Sequence, residues 1–338
     1  MNILAFESSC DETAVAVVRD GRQVLSDAIL SQADMHALYG GVVPEIASRK
    51  HVQAIAALTD KALSDAGLTK QDIDAVAVTY APGLIGAVLV GVSFAKSAAY
   101  ALNVPLIPVH HVRGHIAANY LAFPELEPPF VALAISGGNT LIVDVADYTD
   151  MTILGATRDD AAGECFDKVA RVLGLPYPGG RPMDELAQRS QGGKYDLPSA
   201  HVSGAELDMS FSGLKTAVVN MAHNAQQKGE PLDAAALARD FTRAVSNELV
   251  PRAMRALELT GRKALVAAGG VAANSIIRAD LQNACEKAGV KLYLPPLRWC
   301  GDNGAMIGAQ GYYEYQAGKT AGLELNAYAT MDMAAPVF

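Results

Sequence analysis

Two histidines that stand four residues apart are the first candidates for chemistry in this sequence. In the run 110–115, HHVRGH, His111 and His115 are about one helical turn apart, so a helix would project both from one face, as two ligands of a single metal ion require. The spacing is similar to the H-E-x-x-H helix of zinc proteases, but Val112 stands where the proteolytic glutamate would be. The pattern predicts a metal site without that base, and two ordinary surface or core histidines are the alternative interpretation.

A metal site needs a third ligand, and Asp302 is the candidate. It lies in the run 299–304, WCGDNG, at a predicted strand-to-helix junction. An aspartate at such a place is also a common helix N-cap, and the two roles are compatible if only one carboxylate oxygen caps the helix. The neighbouring Cys300 is a weaker candidate ligand.

Two glycine turns are candidates for binding phosphate or a nucleotide base. The turn Ser136, Gly137 and Gly138 joins two predicted strands, and its backbone amides can approach a phosphate closely because glycine has no side chain. The run 269–274, GGVAAN, ends with Asn274, follows an apolar strand and opens a helix, whose N-terminus would face a bound anion. An ordinary hairpin turn and an ordinary strand-to-helix turn are the alternatives.

Acidic residues near two other turns extend this set. Asp160 is placed to cap a helix, and Asp167, further along it, is placed to accept hydrogen bonds from ribose hydroxyls. A tight turn at 178–182 contains Gly180, and Asp184 follows it. Solvated surface acids are the alternative here.

The elements that must position these residues repeat along the chain. Three short strands open the sequence, and alternating helices and strands follow up to about residue 122; a second set begins with strands at 130–135 and 140–145. Two successive βββ-αβα units predict an α/β protein with two duplicated actin/Hsp70-like (RNase H-like) lobes and a nucleotide cleft between them. We expect an N-terminal lobe at 1–125 and a C-terminal lobe at 126–338, with a helical insertion at about 160–260. In this fold the first hairpin turn faces the phosphates, which would bring Asp11 and Glu12 near the reaction.

Composition narrows the classes of protein. The 338 residues are 51% hydrophobic and 19% charged, which excludes general disorder. A net charge of −9 argues against a free-standing nucleic-acid binder, so nucleic-acid contact would need a local basic patch or a partner. Four scattered cysteines without a C-x-x-C pair fit reduced thiols in a cytoplasm. The apolar run 84–95 is short and glycine-containing, so we expect a buried core helix and no membrane span.

The motifs, taken in order, resemble the tRNA N6-adenosine threonylcarbamoyltransferase family (TsaD). The matching runs extend from the N-terminus to the last predicted helix. They are ESSCDET at 7–13, GGVVPEIASR at 40–49 with His51, the outline of 82–91, HHxxGH at 110–115, SGG at 136–138, DDAAGE at 159–164 with FDK at 166–168, YPGG at 177–180, FSGLKT at 211–216, GGVxAN at 269–274 and DNxAM at 302–306. The ordered set is specific, although no single motif is.

This resemblance implies a reaction and a set of roles. Family members transfer the threonylcarbamoyl group from threonylcarbamoyl-AMP to the exocyclic amine of the adenosine adjacent to the anticodon, in tRNAs reading codons that begin with A. Carried over by position, His111, His115 and Asp302 would hold one divalent metal, iron or zinc. The adenylate would be held by Ala134, Ile135, Ser136, Gly137, Gly138, Asp167, Gly180, Asp184 and Asn274. Our hypothesis is that Asp11 or Glu12 positions or deprotonates the attacking amine.

The resemblance also implies partners and shows departures. Partners would be tRNA, a paralogous dimerisation subunit (TsaB-like) and a small ATPase (TsaE-like). A local basic rim for tRNA is expected from Arg158, Lys168, Arg171, Arg181 and Lys215, with a solvated charged face as the alternative. Asn139, Arg113 and Gly301 differ from common family residues, which leaves the contacts beside the metal and the metal preference open.

Three other functions compete with this interpretation. An ATP-dependent phosphotransferase of the same superfold would use the acidic hairpin turn to hold Mg²⁺, but would leave the histidines and Asp302 unexplained. A metalloprotease would explain the histidines but neither the glycine turns nor the missing glutamate. An inactive paralogous scaffold should lack the metal ligands, which this sequence keeps.

Overall fold

The computed structural model describes residues 1–199, 202 and 204–335. Within them the chain forms ten β-strands and ten α-helices. The strands are β1 (Asn2–Glu7), β2 (Glu12–Arg19), β3 (Gln23–Ser31), β4 (Ala75–Ala81), β5 (Leu106–His110), β6 (Phe130–Ile135), β7 (Thr140–Val145), β8 (Met151–Ala156), β9 (Ala264–Ala268) and β10 (Lys291–Tyr293). The helices are α1 (Ala33–Ala37), α2 (Pro44–Asp65), α3 (Ile85–Leu102), α4 (His111–Ala122), α5 (Ala162–Val172), α6 (Gly180–Ala187), α7 (Ser212–Lys228), α8 (Ala234–Thr260), α9 (Ser275–Ala288) and α10 (Gly304–Gln316). Short 3₁₀ turns lie at Lys70–Asp72, Gly270–Ala273 and Leu297–Trp299.

The strands form two five-stranded sheets of the same order. The first sheet runs β3-β2-β1-β4-β5, and the second runs β8-β7-β6-β9-β10. In the first, β1 pairs antiparallel with β2 and parallel with β4; in the second, β9 pairs parallel with both β6 and β10. The matching order confirms the predicted duplicated α/β architecture.

The first sheet has an apolar layer on each face because its strands are apolar at nearly every position. Leu4 and Phe6 of β1 pack with Val88 and Val92 of α3 on one face. Ile3 and Ala5, which alternate with them, belong to the layer that contains α4 and α10 on the other face. A strand buried on both faces reads as a continuous apolar run, as β1 does.

Contacts divide the chain into two compact units that differ from the predicted lobes. Unit 1 contains Met1–Pro128, Val145–Thr152 and the segment that begins at Pro295; unit 2 contains Pro129–Asp144 and Ile153–Leu294. The single boundary predicted at 125/126 is therefore corrected, because two later segments return to the first unit.

Small residues explain the return of α10. Gly304, Gly308 and Gly311 follow one another at helical spacing, and a Cβ added at any of them would lie within 3 Å of an atom in the first sheet. The helix thus packs its backbone directly on β1, β2 and β4. Aromatic and polar contacts hold the segment Val145–Thr152 instead. The rings of Tyr148 and Tyr313 stack with their centroids 3.8 Å apart, and the Tyr148 hydroxyl accepts a hydrogen bond from Arg22.

Unit 2 has its own core around β6, β9 and five helices. Its largest buried apolar side chains include Phe211 and Phe241, and the Phe166 ring contacts Phe241 edge-on at 5.3 Å. Helices α5 to α8 lie within the interval where the helical insertion was expected.

Helix α3 packs as a core helix, as expected, but it is buried on one face only. Ala87, Val88 and Val92 are buried, whereas Ile85 is 53% and Tyr100 75% exposed. By length and composition this helix could also cross a membrane, a test that core helices of globular proteins pass as well. Its packing against β4 and α2 is that of a core helix.

Candidate metal centre and nucleotide-binding turns

Helix α4 brings the two histidines together. It begins directly after β5, and the Nδ1 atom of His110 caps it by accepting a hydrogen bond from the Val112 amide at 3.3 Å. His111 and His115 are both buried, and their ring centroids lie 4.6 Å apart in an edge-on arrangement. The predicted shared helical face is confirmed.

Asp302 reaches the same place from the junction before α10. Its Oδ1 atom lies 3.1 Å from His115 Nε2 and 3.6 Å from His111 Nε2. One ligand atom from each of the three residues lies within 4.8 Å of the other two. The structure therefore gathers the three predicted metal ligands.

The donor set fits a divalent cation. His115 is 2% exposed, yet neither of its ring nitrogens makes a hydrogen bond within the described residues, although Nε2 faces Asp302. Buried polar atoms normally have partners, and a metal ion would supply one to this nitrogen. Two imidazoles and one carboxylate form a ligand set found for both iron and zinc.

The carboxylates at this cluster favour a positive charge there, on a protonated histidine or on a metal ion. Burial disfavours the charged form of Asp302, but His111 and His115 outweigh it and lower the pKa of Asp302 to about 2. Burial likewise opposes protonation of His111, but the carboxylates of Glu7 and Asp302 raise its pKa to about 9. A metal ion on His111 would replace that proton, so binding would release it.

The turn between β1 and β2 places its acids in the same electrostatic neighbourhood. Asp11 is buried, and Glu12 Oε1 accepts a hydrogen bond from Ser31 Oγ at 2.9 Å. Burial, together with the negative charges of Asp302 and Asp11, raises the pKa of Glu12 to about 9. The charge of Asp302, a proposed metal ligand, therefore contributes to the raised pKa of Glu12, a proposed catalytic acid.

A buried histidine, His51 of α2, holds this turn. Its Nδ1 atom lies 2.7 Å from Thr13 Oγ1, and its Nε2 atom lies 2.9 Å from the Cys10 carbonyl oxygen. These contacts fix the turn on both sides of Asp11 and Glu12. Although His51 stands in one of the matching runs, its sequence position gave no sign of this contact.

In unit 2, the Ser136 turn is built from backbone contacts. The Ser136 amide donates to the Asn139 carbonyl, and the Gly163 amide donates to the Ser136 carbonyl. Gly269 packs so closely that a Cβ there would lie 2.4 Å from the Ile135 carbonyl oxygen. The predicted turns at 136–138 and 269–274 therefore lie next to each other, beside the start of α5.

The remaining predicted binding residues lie in or next to helices α5, α6 and α9 of unit 2. Asp167 of α5 accepts a hydrogen bond from the Gly179 amide at 2.8 Å, which fixes the turn that leads to Gly180. Asp184 of α6 accepts hydrogen bonds from the amide and hydroxyl of Ser275 at the start of α9.

Asn274 is the N-cap of α9, since its Oδ1 accepts from the amides of Ile276 and Ile277. Ala134 and Ile135 are buried at the end of β6, directly before the Ser136 turn.

The sequence profile of the tRNA N6-adenosine threonylcarbamoyltransferases (TsaD) matches residues 23–309. A tRNA N6-adenosine threonylcarbamoyltransferase of Moorella thermoacetica (strain ATCC 39073 / JCM 9320) is 52% identical over 326 residues, 96% of this chain and 95% of the relative. The chain belongs to this transferase family. As a member it is a transferase that modifies tRNA, and the resemblance drawn from the motifs is confirmed.

Solved structures place this transferase family member in the actin/Hsp70/sugar-kinase superfold. HypF of T. kodakarensis superposes with a TM-score of 0.64 at 15% identity, over 94% of this chain and 48% of that chain. Component A of the (R)-2-hydroxyglutaryl-CoA dehydratase of Acidaminococcus fermentans gives 0.55 at 14% identity, over 94% and 98%. At such identities the likeness concerns the fold alone.

Neither Asp302, for which a helix cap was the alternative role, nor Asp160, which was expected to cap a helix, is an N-cap in this transferase. Asn303, and not Asp302, caps α10 by accepting from the Met306 amide at 2.8 Å, which leaves Asp302 directed to the histidines. Ala161 occupies the N-cap position of α5, and Asp160 instead pairs with Lys168 and Lys215.

The expected basic rim is largely neutralised within the chain. Arg158 pairs with Asp208, Arg181 pairs with Glu185, and both Lys168 and Lys215 pair with Asp160. Of the five predicted cations, Arg171 alone forms no ion pair within the described residues. The solvated-face alternative therefore accounts for most of this set.

Proposed function

We propose that this chain transfers the threonylcarbamoyl group from threonylcarbamoyl-AMP to the exocyclic amine of the adenosine adjacent to the anticodon, in tRNAs reading codons that begin with A. The observation that carries this proposal is the cluster of Asp302 with the two buried histidines, His111 and His115, in a chain of the tRNA N6-adenosine threonylcarbamoyltransferase family. The donor and the position of the acceptor adenosine follow from the motif resemblance.

The three clustered residues would hold one divalent metal, iron or zinc. Supporting this, His115 presents a buried ring nitrogen without a hydrogen bond toward a carboxylate of lowered pKa. Such a metal, when bound, polarises a carbonyl group as a Lewis acid. The three side chains supply a fixed cage for it, because α4 and the α10 junction are both anchored in the core of unit 1.

The adenylate would lie against the unit 2 turns. Exposed Gly137 and Gly138, together with Gly180, present backbone that no side chain covers, and a Cβ at any of them would meet no atom within 4 Å. Such a turn lets amides approach an anion closely. Asp167, Asp184 and Asn274 surround these turns, and Ala134 and Ile135 would contribute backbone only.

In the transfer step, the bond from the carbamoyl carbon to the phosphate oxygen breaks and the bond from that carbon to N6 of the adenosine forms. AMP leaves with the bonding electrons, and N6 loses a proton. Asp11 or Glu12 would position the amine or take that proton. Burial and the charges of Asp302 and Asp11 raise the pKa of Glu12 to about 9, which favours the protonated form that can donate a hydrogen bond.

The decisive experiment is reconstitution followed by nucleoside mass spectrometry. Full-length protein is mixed with its proposed partners, threonine, bicarbonate, ATP, an adenylate-forming enzyme and unmodified tRNA, beside the double variant His111→Ala, His115→Ala. We expect threonylcarbamoyladenosine with wild type only. Product from both proteins would refute the metal assignment, and product from neither would refute the transfer proposal.

Isosteric variants separate the roles of the two turn acids. If Glu12 acts in its protonated form, Glu12→Gln should keep most of the activity that Glu12→Ala loses. If Asp11 accepts the proton, Asp11→Asn should lose transfer while adenylate affinity stays within about twofold of wild type. Loss of adenylate binding in these variants would assign both residues a structural role instead.

We also propose that α3 docks the paralogous dimerisation subunit. Ile85, Leu89 and Tyr100 are all at least 46% exposed, and with Lys96 they lie on one stripe of the helix. Contiguous exposed apolar surface marks interaction sites, and the dimerisation subunit is the proposed partner that would cover this stripe. Leu89→Asp should abolish co-purification with that subunit, while the exposed-site control Lys50→Asp should not; retained binding by Leu89→Asp would refute this surface.

The other proposed partners are tRNA, which the family name implies as substrate, and a small ATPase. A cytoplasmic location is part of the same proposal, and it fits the four free cysteines.

A further inference from the structure

Glu7 is a buried carboxylate outside the set of residues assigned above. It ends the apolar strand β1 and is 1% exposed, so its charge requires compensation within the protein. Three groups contact it. The Ser9 amide donates to Oε1, the Thr79 hydroxyl donates to Oε2 at 2.6 Å, and His111 Nδ1 lies 3.0 Å from Oε2.

These contacts determine which nitrogen of His111 carries hydrogen. Oε1 of Glu7 accepts from the Ser9 amide and Oε2 accepts from the Thr79 hydroxyl, so both carboxylate oxygens act as hydrogen-bond acceptors. The contact at Oε2 therefore requires a hydrogen on His111 Nδ1. The second nitrogen, Nε2, is the one that faces Asp302.

The second histidine lacks this support. Neither ring nitrogen of His115 has a hydrogen-bond partner within the described residues. A carboxylate behind the ring thus anchors His111 at Nδ1, whereas Nδ1 of His115 has no such partner within the described residues and only its Nε2 faces a carboxylate, that of Asp302. Glu7 can therefore orient His111 but not His115.

We propose that Glu7 is a positioning residue that holds His111 with its hydrogen on Nδ1 and its Nε2 directed at the metal. The proposal rests on the metal site proposed above. Carboxylates behind a metal-ligating histidine fix its tautomer and ring orientation, and losing such a partner typically lowers metal affinity about 10- to 100-fold. Ser9 Oγ is a competing partner, since it lies 3.2 Å from the same nitrogen.

Metal affinity of the full-length protein tests this directly. Chelator-stripped protein is titrated with Zn²⁺ against a chromophoric chelator, for wild type, Glu7→Gln, Glu7→Ala and His111→Ala. We expect the Glu7 variants to bind Zn²⁺ about 10- to 100-fold more weakly than wild type. Matched controls are Thr79→Val, which removes a neighbouring hydrogen bond to the same carboxylate, and Ser9→Ala, and both should stay within about threefold.

The outcomes separate this proposal from the metal assignment. Glu7 variants that bind Zn²⁺ like wild type, while His111→Ala does not, would overturn the positioning role. Wild-type affinity in His111→Ala would instead refute the metal assignment itself. A loss in Ser9→Ala equal to that in Glu7→Gln would transfer the role to Ser9.

Two spectroscopic measurements report on the site directly, and the first needs no variant. In Zn²⁺-loaded wild-type protein, nitrogen-15 NMR of the histidine rings should show His111 protonated at Nδ1 and coordinated through Nε2; the opposite assignment would overturn the proposal. With Co²⁺ as the probe, Glu7→Gln should change the visible absorption of the site, whereas Thr79→Val should not.

Discussion

The metal cluster of unit 1 and the glycine turns of unit 2 present different parts of the chain to a ligand. In unit 1, the buried Glu7 of β1 and His111 of α4 are in contact, and His111 also faces the partly exposed Asp302 of the α10 junction. In unit 2, the exposed turn at Gly137 and Gly138 presents bare backbone. One site is a preorganised set of charges, and the other is a surface of amides with room beside it.

This difference teaches which substitutions each site should tolerate. A cage of buried charges loses its function when any one donor is removed, because the remaining charges are left uncompensated. A backbone surface is sensitive instead to added side-chain atoms. Where those atoms clash with the protein they lower its stability, and where they occupy ligand space they lower its affinity for the ligand. The predictions below follow from this contrast, beginning with the largest expected effect.

Removing one metal donor should give the largest loss. His115→Ala or Asp302→Ala should weaken Zn²⁺ or Fe²⁺ binding by about 100-fold or more, since only two protein donors remain. Adenylate affinity, measured by calorimetry with a non-hydrolysable analogue, should stay within about twofold. The matched control is the exposed His223→Ala, and an equal loss there, or loss of adenylate binding with the metal, would contradict the separation.

Adding a methyl group at two glycines of unit 2 should lower stability at one position and adenylate affinity at the other. In Gly163→Ala the new Cβ would lie 2.5 Å from the Ser136 carbonyl oxygen, so we expect a loss of about 2–3 kcal/mol in unfolding free energy. In Gly137→Ala no atom lies within 4 Å, so stability should change by no more than about 0.5 kcal/mol.

Gly137→Ala should instead lower adenylate affinity by about tenfold, because the methyl group occupies ligand space. Thermal unfolding and calorimetry on the same two preparations check both statements. Unchanged adenylate affinity in Gly137→Ala would show that this turn is not a binding surface.

A third prediction concerns pH and Asp27, whose carboxylate accepts a hydrogen bond from the Gly304 amide at the start of α10. Burial raises its pKa to about 6. Because the folded state holds this proton more tightly than the unfolded state, the stabilisation is full below about pH 4 and is lost as pH rises to about 6.

Asp27→Asn should remove that pH dependence of the unfolding free energy. We expect its size to be about 2 kcal/mol after allowance for partial exposure. Chemical unfolding of wild type and variant at pH 4, 5, 6 and 7 measures it. The exposed Asp65→Asn is the control, and an unchanged slope in Asp27→Asn would contradict the assignment.

The smallest effects are expected on the surface of unit 2. Lys215, paired with Asp160, should contribute little to tRNA affinity, whereas the exposed Arg171 is free to meet a phosphate. We expect Arg171→Ala to weaken tRNA binding about threefold and to reduce the number of ions released on binding, read from the salt dependence of the affinity, by about one. Lys215→Ala should weaken tRNA binding less than about twofold. Filter binding across a salt series measures both, and a larger effect at Lys215 would reverse the ranking.

Spacing and strand pattern were sufficient to predict the shared histidine face and the duplicated sheet order. His111 and His115 are close in sequence, so helical geometry alone places them together. The Glu7 contact joins residues 104 positions apart, and no local pattern encodes which strand end meets which helix. The cap of α10 was misplaced by one residue for a related reason, since Asp302 and Asn303 are equally good caps locally and only the distant histidines separate their roles.

The return of α10 to unit 1 also constrains how the chain is made. A ribosome synthesises β1, α4 and the whole of unit 2 before Gly304 to Gln316 appear, so the sheet face that α10 covers stays open until then. The nascent chain therefore carries both histidines for almost two hundred residues without Asp302. Until α10 is synthesised, a chaperone would have to shield that apolar face, and a truncated product ending before Pro295 would leave it permanently exposed.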